Sequence, residues 1–436
     1  MATAAARVSE RRQGSGFHRR QSRGGGGANV ICAFWLEGRC SRHPCKFLHA
    51  ESGSAASPRP KQFQAHKSRT WKRTPGNSST VKNSSVLSGG EDGPKHINDT
   101  ERVEDEVCRH WLSGKCVRGE HCKYLHSWSC GNGFSMFTKL EGHSKAVKGI
   151  ALPSGSYKLY TGCKDKTVRV WDCNTGQCVQ VVDLPGEVGS LISEGPWVFV
   201  GTEDAVKVWN TQTGNELTLL GPVGLVRALA TTDDTLFAAT QDGTILAWKF
   251  RFENEPPELL ASLKGHSGVV ICLFIGANKI YSGSMDNTIR VWDLNTLLCV
   301  QTLQGHTGAV MSVLCWDKYL LSCSLDGSIK AWGSTEAGDM EMIYTHEEEH
   351  GVLGLCGLND AEGKPILLCS CHDNYVRLYD LPTFAERGKL FAKREVRAIQ
   401  IGPAGTGLFF TGDATGQITV WKLDAESKKK TSSSSS

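Results

Sequence analysis

Two stretches of the chain repeat one spacing of thiols and an imidazole. Cys32, Cys40, Cys45 and His49 are separated by seven, four and three residues, and Cys108, Cys116, Cys122 and His126 by seven, five and three. The filler repeats as well. Trp35-Leu36 and Gly38-Arg39 lie between the first two cysteines of one copy, Trp111-Leu112 and Gly114-Lys115 in the other. Three thiolates and one imidazole complete a tetrahedral Zn²⁺ shell with no open position, the arrangement that holds a fold and leaves no place for a substrate. Each stretch is too short to bury a stabilising core by itself, so metal affinity becomes folding energy. Disulfide pairing would not explain a four-ligand spacing that recurs with its neighbours. Two structural Zn²⁺ ions are therefore expected.

Next to the ligands stand residues suited to unpaired bases. Arg42 and Arg118 follow the second cysteine of each set by two positions, and Phe47 and Tyr124 follow the third by two, next to Lys46 and Lys123. Rings and guanidinium planes stack on unpaired bases, and lysines meet phosphates. These segments resemble CCCH zinc fingers, and the Arg and aromatic positions are similar to those of muscleblind-like fingers. Single-stranded RNA is the first expected ligand, DNA the second and a protein surface the third. Trp35 and Trp111 occupy a position that in such fingers packs inside the module, and both are read as core.

Charge divides the chain. Residues 1–130 hold 22 Lys and Arg against 11 Asp and Glu, whereas residues 131–436 hold 27 against 34. A basic arm on an acidic body fits a nucleic-acid-binding region joined to a partner-binding domain. Residues 1–29, Arg/Gly-rich, and 51–105, rich in Ser, Pro, Lys and Asn, have few core-forming side chains and read as disordered. As a flexible coil, the 58 residues between His49 and Cys108 would span about 40 Å. The two fingers therefore need not bind adjacent nucleotides. Finger two, by contrast, is separated from the next domain by only a few residues and should sit near it.

From Phe134 a repeat of about 40 residues takes over. Alternating strands close on Trp171, Trp209, Trp248, Trp292, Trp332, Tyr379 and Trp421, each preceded by a turn aspartate, Asp165, Asp204, Asp242, Asp286, Asp326, Asp373 and Asp413. Gly-His pairs open three repeats, at His143, His266 and His306. This resembles the WD40 family. The expected fold is all-β: a seven-bladed WD40 propeller, preceded by two small CCCH fingers and disordered basic segments. Met136–Leu140 should complete the last blade as its outer strand and close the ring. The resemblance also implies a buried polar chain in each of three blades: His143, Thr161, Asp165 and Trp171; His266, Ser282, Asp286 and Trp292; His306, Ser322, Asp326 and Trp332. Repetition at the blade period marks these sets as scaffold, not as catalytic triads. Blade six, closed by Tyr379, has no such assignment.

His346-Glu347-Glu348-Glu349-His350 spells H-E-x-x-H, the zinc-protease motif, which needs a helix presenting both histidines on one face. The repeat places this charged pentapeptide in a connecting loop between blades five and six, so no catalytic residue is assigned. Neither a G-x-S-x-G elbow nor a phosphate-binding G-x-x-x-x-G-K-[ST] loop occurs. Of 17 cysteines, six belong to the zinc sets, and the scattered remainder fits a reducing compartment. No apolar run is long enough to span a bilayer.

The domain order reads as a basic arm (1–29), finger one (30–50), a linker (51–105), finger two (106–127), the propeller (128–424) and a Lys/Ser tail (425–436). Fingers followed by a propeller resemble the plant zinc-finger CCCH proteins with WD40 repeats. That resemblance implies nucleic-acid binding joined to a protein-docking platform, and the expected function is a non-enzymatic adaptor in post-transcriptional regulation, nuclear and also cytoplasmic, with single-stranded mRNA on the fingers and protein partners on the propeller. No membrane and no small-molecule substrate are expected. Two alternatives stand beside it: a DNA-binding regulator, and a substrate receptor of a cullin-4 ubiquitin ligase. Such receptors resemble one another in an Arg two residues past the closing Trp, where this chain has Cys173 and Leu294.

Overall fold

The computed structural model describes residues 103–250, 257–336, 338–360 and 362–423. The first ligand set, Cys32, Cys40, Cys45 and His49, lies outside these residues, as do Arg42, Lys46, Phe47 and the C-terminal tail.

Seven antiparallel sheets follow one another along the chain, four-stranded except for the sixth, which has five strands. The first five are consecutive meanders, as Val147–Ala151, Lys158–Cys163, Thr167–Asp172 and Gln177–Asp183 illustrate for blade one, and the last two each take one strand from ahead of blade one. The innermost strands abut their neighbours in sequence, and that of blade seven abuts that of blade one, so the sheets form a closed ring. Closure comes from the early strand Phe134–Leu140, which pairs with Ile418–Leu423 in the register Phe134↔Leu423 and Leu140↔Ile418. The expected outer strand therefore extends two residues further upstream than Met136. Phe134 and Leu140 anchor its two ends in the core, while Ser135 and Met136 between them are exposed beside the register shift at Val420 and Trp421. The pairing joins the beginning of the propeller to its end, and each blade keeps only one short outer edge.

The turn aspartates set the tight turns before the closing strands. Asp165, Asp286 and Asp326 each accept the backbone N–H two residues on, at 3.1, 3.0 and 2.9 Å. The intervening residue is forced into the left-handed region: Lys166 at φ 70°, Asn287 at 67° and Gly327 at 85°. Asn and Gly suit that conformation, and Lys166 holds it against its preference. Successive blades then bury Val, Ile and Leu between sheets, with Trp292, Trp421, Phe237 and Phe409 among the largest fully buried side chains.

Ahead of the ring, Val103–Val107 forms a strand paired in parallel with Tyr124–Leu125. The strand begins three residues ahead of the expected start of finger two at residue 106. Pairing with the end of finger two orders this strand, which the polar composition of the preceding stretch does not foretell. A one-turn helix, Arg109–Leu112, and a 3-10 turn, Gly119–His121, make up the rest of the small module.

Candidate zinc centre and nucleic-acid interface

The short helix and the 3-10 turn carry the ligands inward. Cys108 precedes the helix and is anchored through its backbone N–H on the Leu125 carbonyl at 2.8 Å. Cys122 follows the 3-10 turn. The donor atoms of Cys108, Cys116, Cys122 and His126 all lie within 4.8 Å of one another. Cys108 and Cys122 are buried, and His126 Nε2 is buried without a hydrogen-bond partner. A buried polar nitrogen beside three thiols is costly to leave unpaired, and metal ligation would satisfy it. The donor set therefore fits one Zn²⁺, held by three thiolates and one imidazole.

Trp111 explains why the module can be so small. Its ring stacks on the His126 imidazole, 5.6 Å between centroids and 12° from parallel, and meets Trp128 at 5.2 Å. Trp128 in turn packs against the cluster of Val376, Leu390, Phe409 and Trp421 in blades six and seven, with the Lys139 ammonium over its ring. Just beyond it, Ser129–Gly131 adds to the outer strand of blade six, Ala385–Phe391, as a fifth strand. The join is close. A Cβ on Gly388 would collide with the Cys130 carbonyl oxygen, and one on Gly131 would lie 2.5 Å from that of Arg387. Only glycine fits at either position. Finger two is thus built onto the propeller through a tryptophan and a shared strand.

The residues assigned to base and phosphate contacts separate here. Lys123 and Tyr124 line an open groove of about 510 Å³ that runs from the finger to Ser129 and Cys130. The Lys123 ammonium lies 4.8 Å from the Tyr124 ring centroid. Tyr124 is half-buried and Lys123 exposed. Arg118 is exposed at the start of the 3-10 turn and does not line this groove. Glu120, Ser127 and Ser129 also line it. They escape sequence reasoning because Ser129 reaches the groove only by joining blade six.

In the propeller the three polar sets are assembled as chains. In blade one Trp171 Nε1–H donates to Thr161 Oγ1 at 2.8 Å, Thr161 lies 2.9 Å from His143 Nε2, and His143 Nδ1 lies 2.9 Å from Asp165. Blades four and five repeat it with Trp292, Ser282, His266 and Asp286, and with Trp332, Ser322, His306 and Asp326, at 2.8 to 3.0 Å. Burial holds all three histidines below the ordinary 6.5. The neutral ring then accepts from the hydroxyl at Nε2 and donates from Nδ1 to the carboxylate. Burial works against the charge of Asp286, yet bonds from Thr288 and His266 bring it down to about 2. Each hydroxyl is fully buried with both functions engaged, so none can act as a nucleophile.

Blade six replaces this chain with another. Tyr379 stands where the other blades have Trp, and Cys369 opposite Arg377 stands where Ser322 opposes Lys330. The Tyr379 hydroxyl donates to Glu348 at 2.5 Å, and Arg377 bridges Glu348 at 3.4 Å and Asp373 at 2.6 Å. The H-E-x-x-H segment is therefore not a free loop. His346 and Glu347 end the strand Met340–Glu347, and the Glu348 side chain is only 5 % exposed. The motif lies at a strand end and not on a helix, and His346 and His350 face different carboxylates, Glu348 and Asp373. Among the described residues no helix is long and apolar enough to cross a membrane.

Residues 106–127 match the CCCH-type zinc finger family, and residues 134–172, 257–293 and 297–333 match the WD domain, G-beta repeat. Among similar proteins, zinc finger CCCH domain-containing protein 17 of Oryza sativa subsp. japonica is 52 % identical over 403 residues, spanning 90 % of this chain and 91 % of the relative. Zinc finger CCCH domain-containing protein 48 of Arabidopsis thaliana is 50 % identical over 419 residues, spanning 92 % and 95 %. Among solved structures, the computationally designed Ika8 protein superposes with a TM-score of 0.52 at 25 % identity, covering 65 % of this chain and 98 % of its own. The chain belongs to the plant CCCH zinc finger proteins, and in it a zinc-binding finger precedes a seven-bladed WD40 propeller.

Proposed function

We propose that this protein is a non-enzymatic adaptor in post-transcriptional regulation, acting in the nucleus and also in the cytoplasm. Its fingers hold single-stranded RNA and its propeller recruits proteins. The observation that carries the reading is the groove beside finger two, where Tyr124 offers a half-exposed ring next to the Lys123 ammonium. A ring next to a cation is how sequence-tolerant sites take an unpaired base and its phosphate. The strand Ser129–Gly131 supports a mechanical consequence. RNA bound by finger two is carried at a fixed position on the propeller and not on a tether. The zinc supplies the fold of the module, and Tyr124, Lys123 and exposed Arg118 supply the contacts. Finger one, with Arg42, Lys46 and Phe47, would add a second contact of the same kind.

Crosslinking in cells, wild type beside Cys108→Ala, tests this. The reading requires RNA adducts that fall sharply in the variant. Adducts to duplex DNA in place of RNA would favour the regulator reading, and adducts unchanged by Cys108→Ala would refute the role of finger two.

A further inference from the structure

The inner strands of all seven blades run in the same direction around the channel, so their first residues share one mouth. Val147, Val270, Val310, Val352 and Val396 open these strands in the same register, opposite Cys163, Ser284, Ser324, Cys371 and Asp413, each followed by a register shift. The next residues are Lys148, Ile271, Met311, Leu353 and Arg397. In blades two and three, buried Val188 and Val226 precede Gly189 and Arg227 in the same way. The ring is divided, with cations on blades seven, one and three and apolar side chains on blades four, five and six.

A second set of positions adds to this on blades one, four and five, while His372 on blade six and Ala414 on blade seven make the same backbone bond, to Gly351 and Glu395. Lys164, Met285 and Leu325 each donate a backbone N–H across to the residue before the inner-strand valine, to Ala146, Val269 and Ala309 at 2.9, 2.9 and 3.0 Å. They therefore stand at equivalent places on the same end. Lys164 adds a cation on blade one. Met285 and Leu325, 56 % and 41 % exposed, add apolar surface on blades four and five.

The cations are under-compensated. Arg397, Arg227 and Lys164 all lie close enough to Lys148 to act on its charge, and with burial as the larger cause they lower its pKa to about 8. Glu187 is the nearby acid, and it pairs with Lys164 at 3.5 Å. Glu395 is 4.0 Å from Arg397. Among the described residues Lys148 and Arg227 form no ion pair, and the Arg227 Nε is buried without a partner. This stands on a domain that is acidic as a whole, so bulk charge does not account for it.

We propose that this channel mouth docks an acidic peptide segment of a partner protein, its carboxylates on Lys148, Arg227 and Arg397 and an apolar side chain against Met285 and Leu325. The proposal rests on the adaptor reading and names the surface that reading leaves open. The apolar half favours a peptide over RNA, because an RNA groove would pair its cations with stacking rings, and Met285 and Leu325 have none.

The test uses the full chain and a fluorescent synthetic Asp/Glu-rich peptide with a single Leu, beside its Asn/Gln counterpart. The acidic peptide should bind in a salt-sensitive way and its counterpart should not. Arg227→Glu with Arg397→Glu should weaken it about tenfold or more, and Leu325→Asp should weaken it with an unchanged melting temperature. If the double reversal fails to fold, Arg227→Gln with Arg397→Gln gives the same comparison. Equal affinity in wild type and variants, no binding at all, or displacement of the peptide by oligouridylate would overturn the proposal. Affinity purification from cells separates the two readings. Proteins recovered equally with wild type and the double reversal would leave the adaptor standing and sink the mouth, whereas none recovered with either, and no peptide binding, would sink both.

Discussion

The Trp111 ring lies flat against the His126 imidazole, 5.6 Å between centroids and 12° from parallel. A zinc ligand is thus oriented by a side chain that also touches Trp128 on the propeller side. Trp111→Ala should loosen finger two by about 2 kcal/mol, below the roughly 3–5 kcal/mol of a fully buried aromatic because Trp111 is half-exposed. The check is zinc retention against a chelator, which should fail earlier in the variant. Equal retention would make Trp111 a surface residue.

Cys116→Ser should remove one zinc equivalent per chain and unfold the module around residues 108–126. The propeller should keep its cooperative melting, because its core clusters draw on none of the four ligands. Metal analysis with near-ultraviolet dichroism decides this. One-to-one zinc retained in finger two, or loss of the propeller transition, would contradict the account.

The buried histidines give the propeller an acid-sensitive side. Folded His143, His266 and His306 stay below 6.5, so as pH falls through 6.5 the unfolded chain takes up protons that the folded one refuses. Stability should therefore fall on acidification below about pH 6.5. The carboxylates act in a lower window. Folded Asp286 titrates near 2 against an ordinary 3.8, so the stability it contributes is present above 3.8 and lost toward 2. Melting temperatures across this range are the check, and a midpoint that rises from pH 7 to 5 would contradict it.

Glu348→Ala should destabilise blade six by about 3–5 kcal/mol, since it strips a buried carboxylate from Arg377 and Tyr379. Glu349→Ala, the exposed neighbour, should change stability little. Denaturant unfolding of the two variants distinguishes them, and equal midpoints would show that Glu348 is not the buried partner.

These residues also show what sequence reveals and what it hides. Seven closing aromatics, the turn aspartates and the closing strand from Met136 to Leu140 were legible because each blade repeats the same local chemistry and strand period. Glu348 was not. Inside Glu347-Glu348-Glu349 it reads as a solvated charge, and only the replacement of Trp by Tyr379 and of Ser by Cys369 makes room for a carboxylate. Ser129–Gly131 is too short to show alternation, and its role depends on glycines at 131 and 388 that lie far apart in the chain. The clustering of Cys108, Cys116, Cys122 and His126 was legible from spacing alone. That Lys123 and Tyr124 share a groove while Arg118 stands apart required the fold.

The central claim is that finger two grips single-stranded RNA through a stacked base while the propeller does not. Titration of labelled oligoribonucleotides at two salt concentrations, with the full chain, Tyr124→Ala and a variant lacking residues 1–127, tests it most directly. Tyr124→Ala should lose about 1–3 kcal/mol of binding with zinc intact. Lys123→Ala should mainly flatten the salt dependence, and the truncated chain should bind poorly. RNA affinity undiminished in the truncated chain would contradict the account.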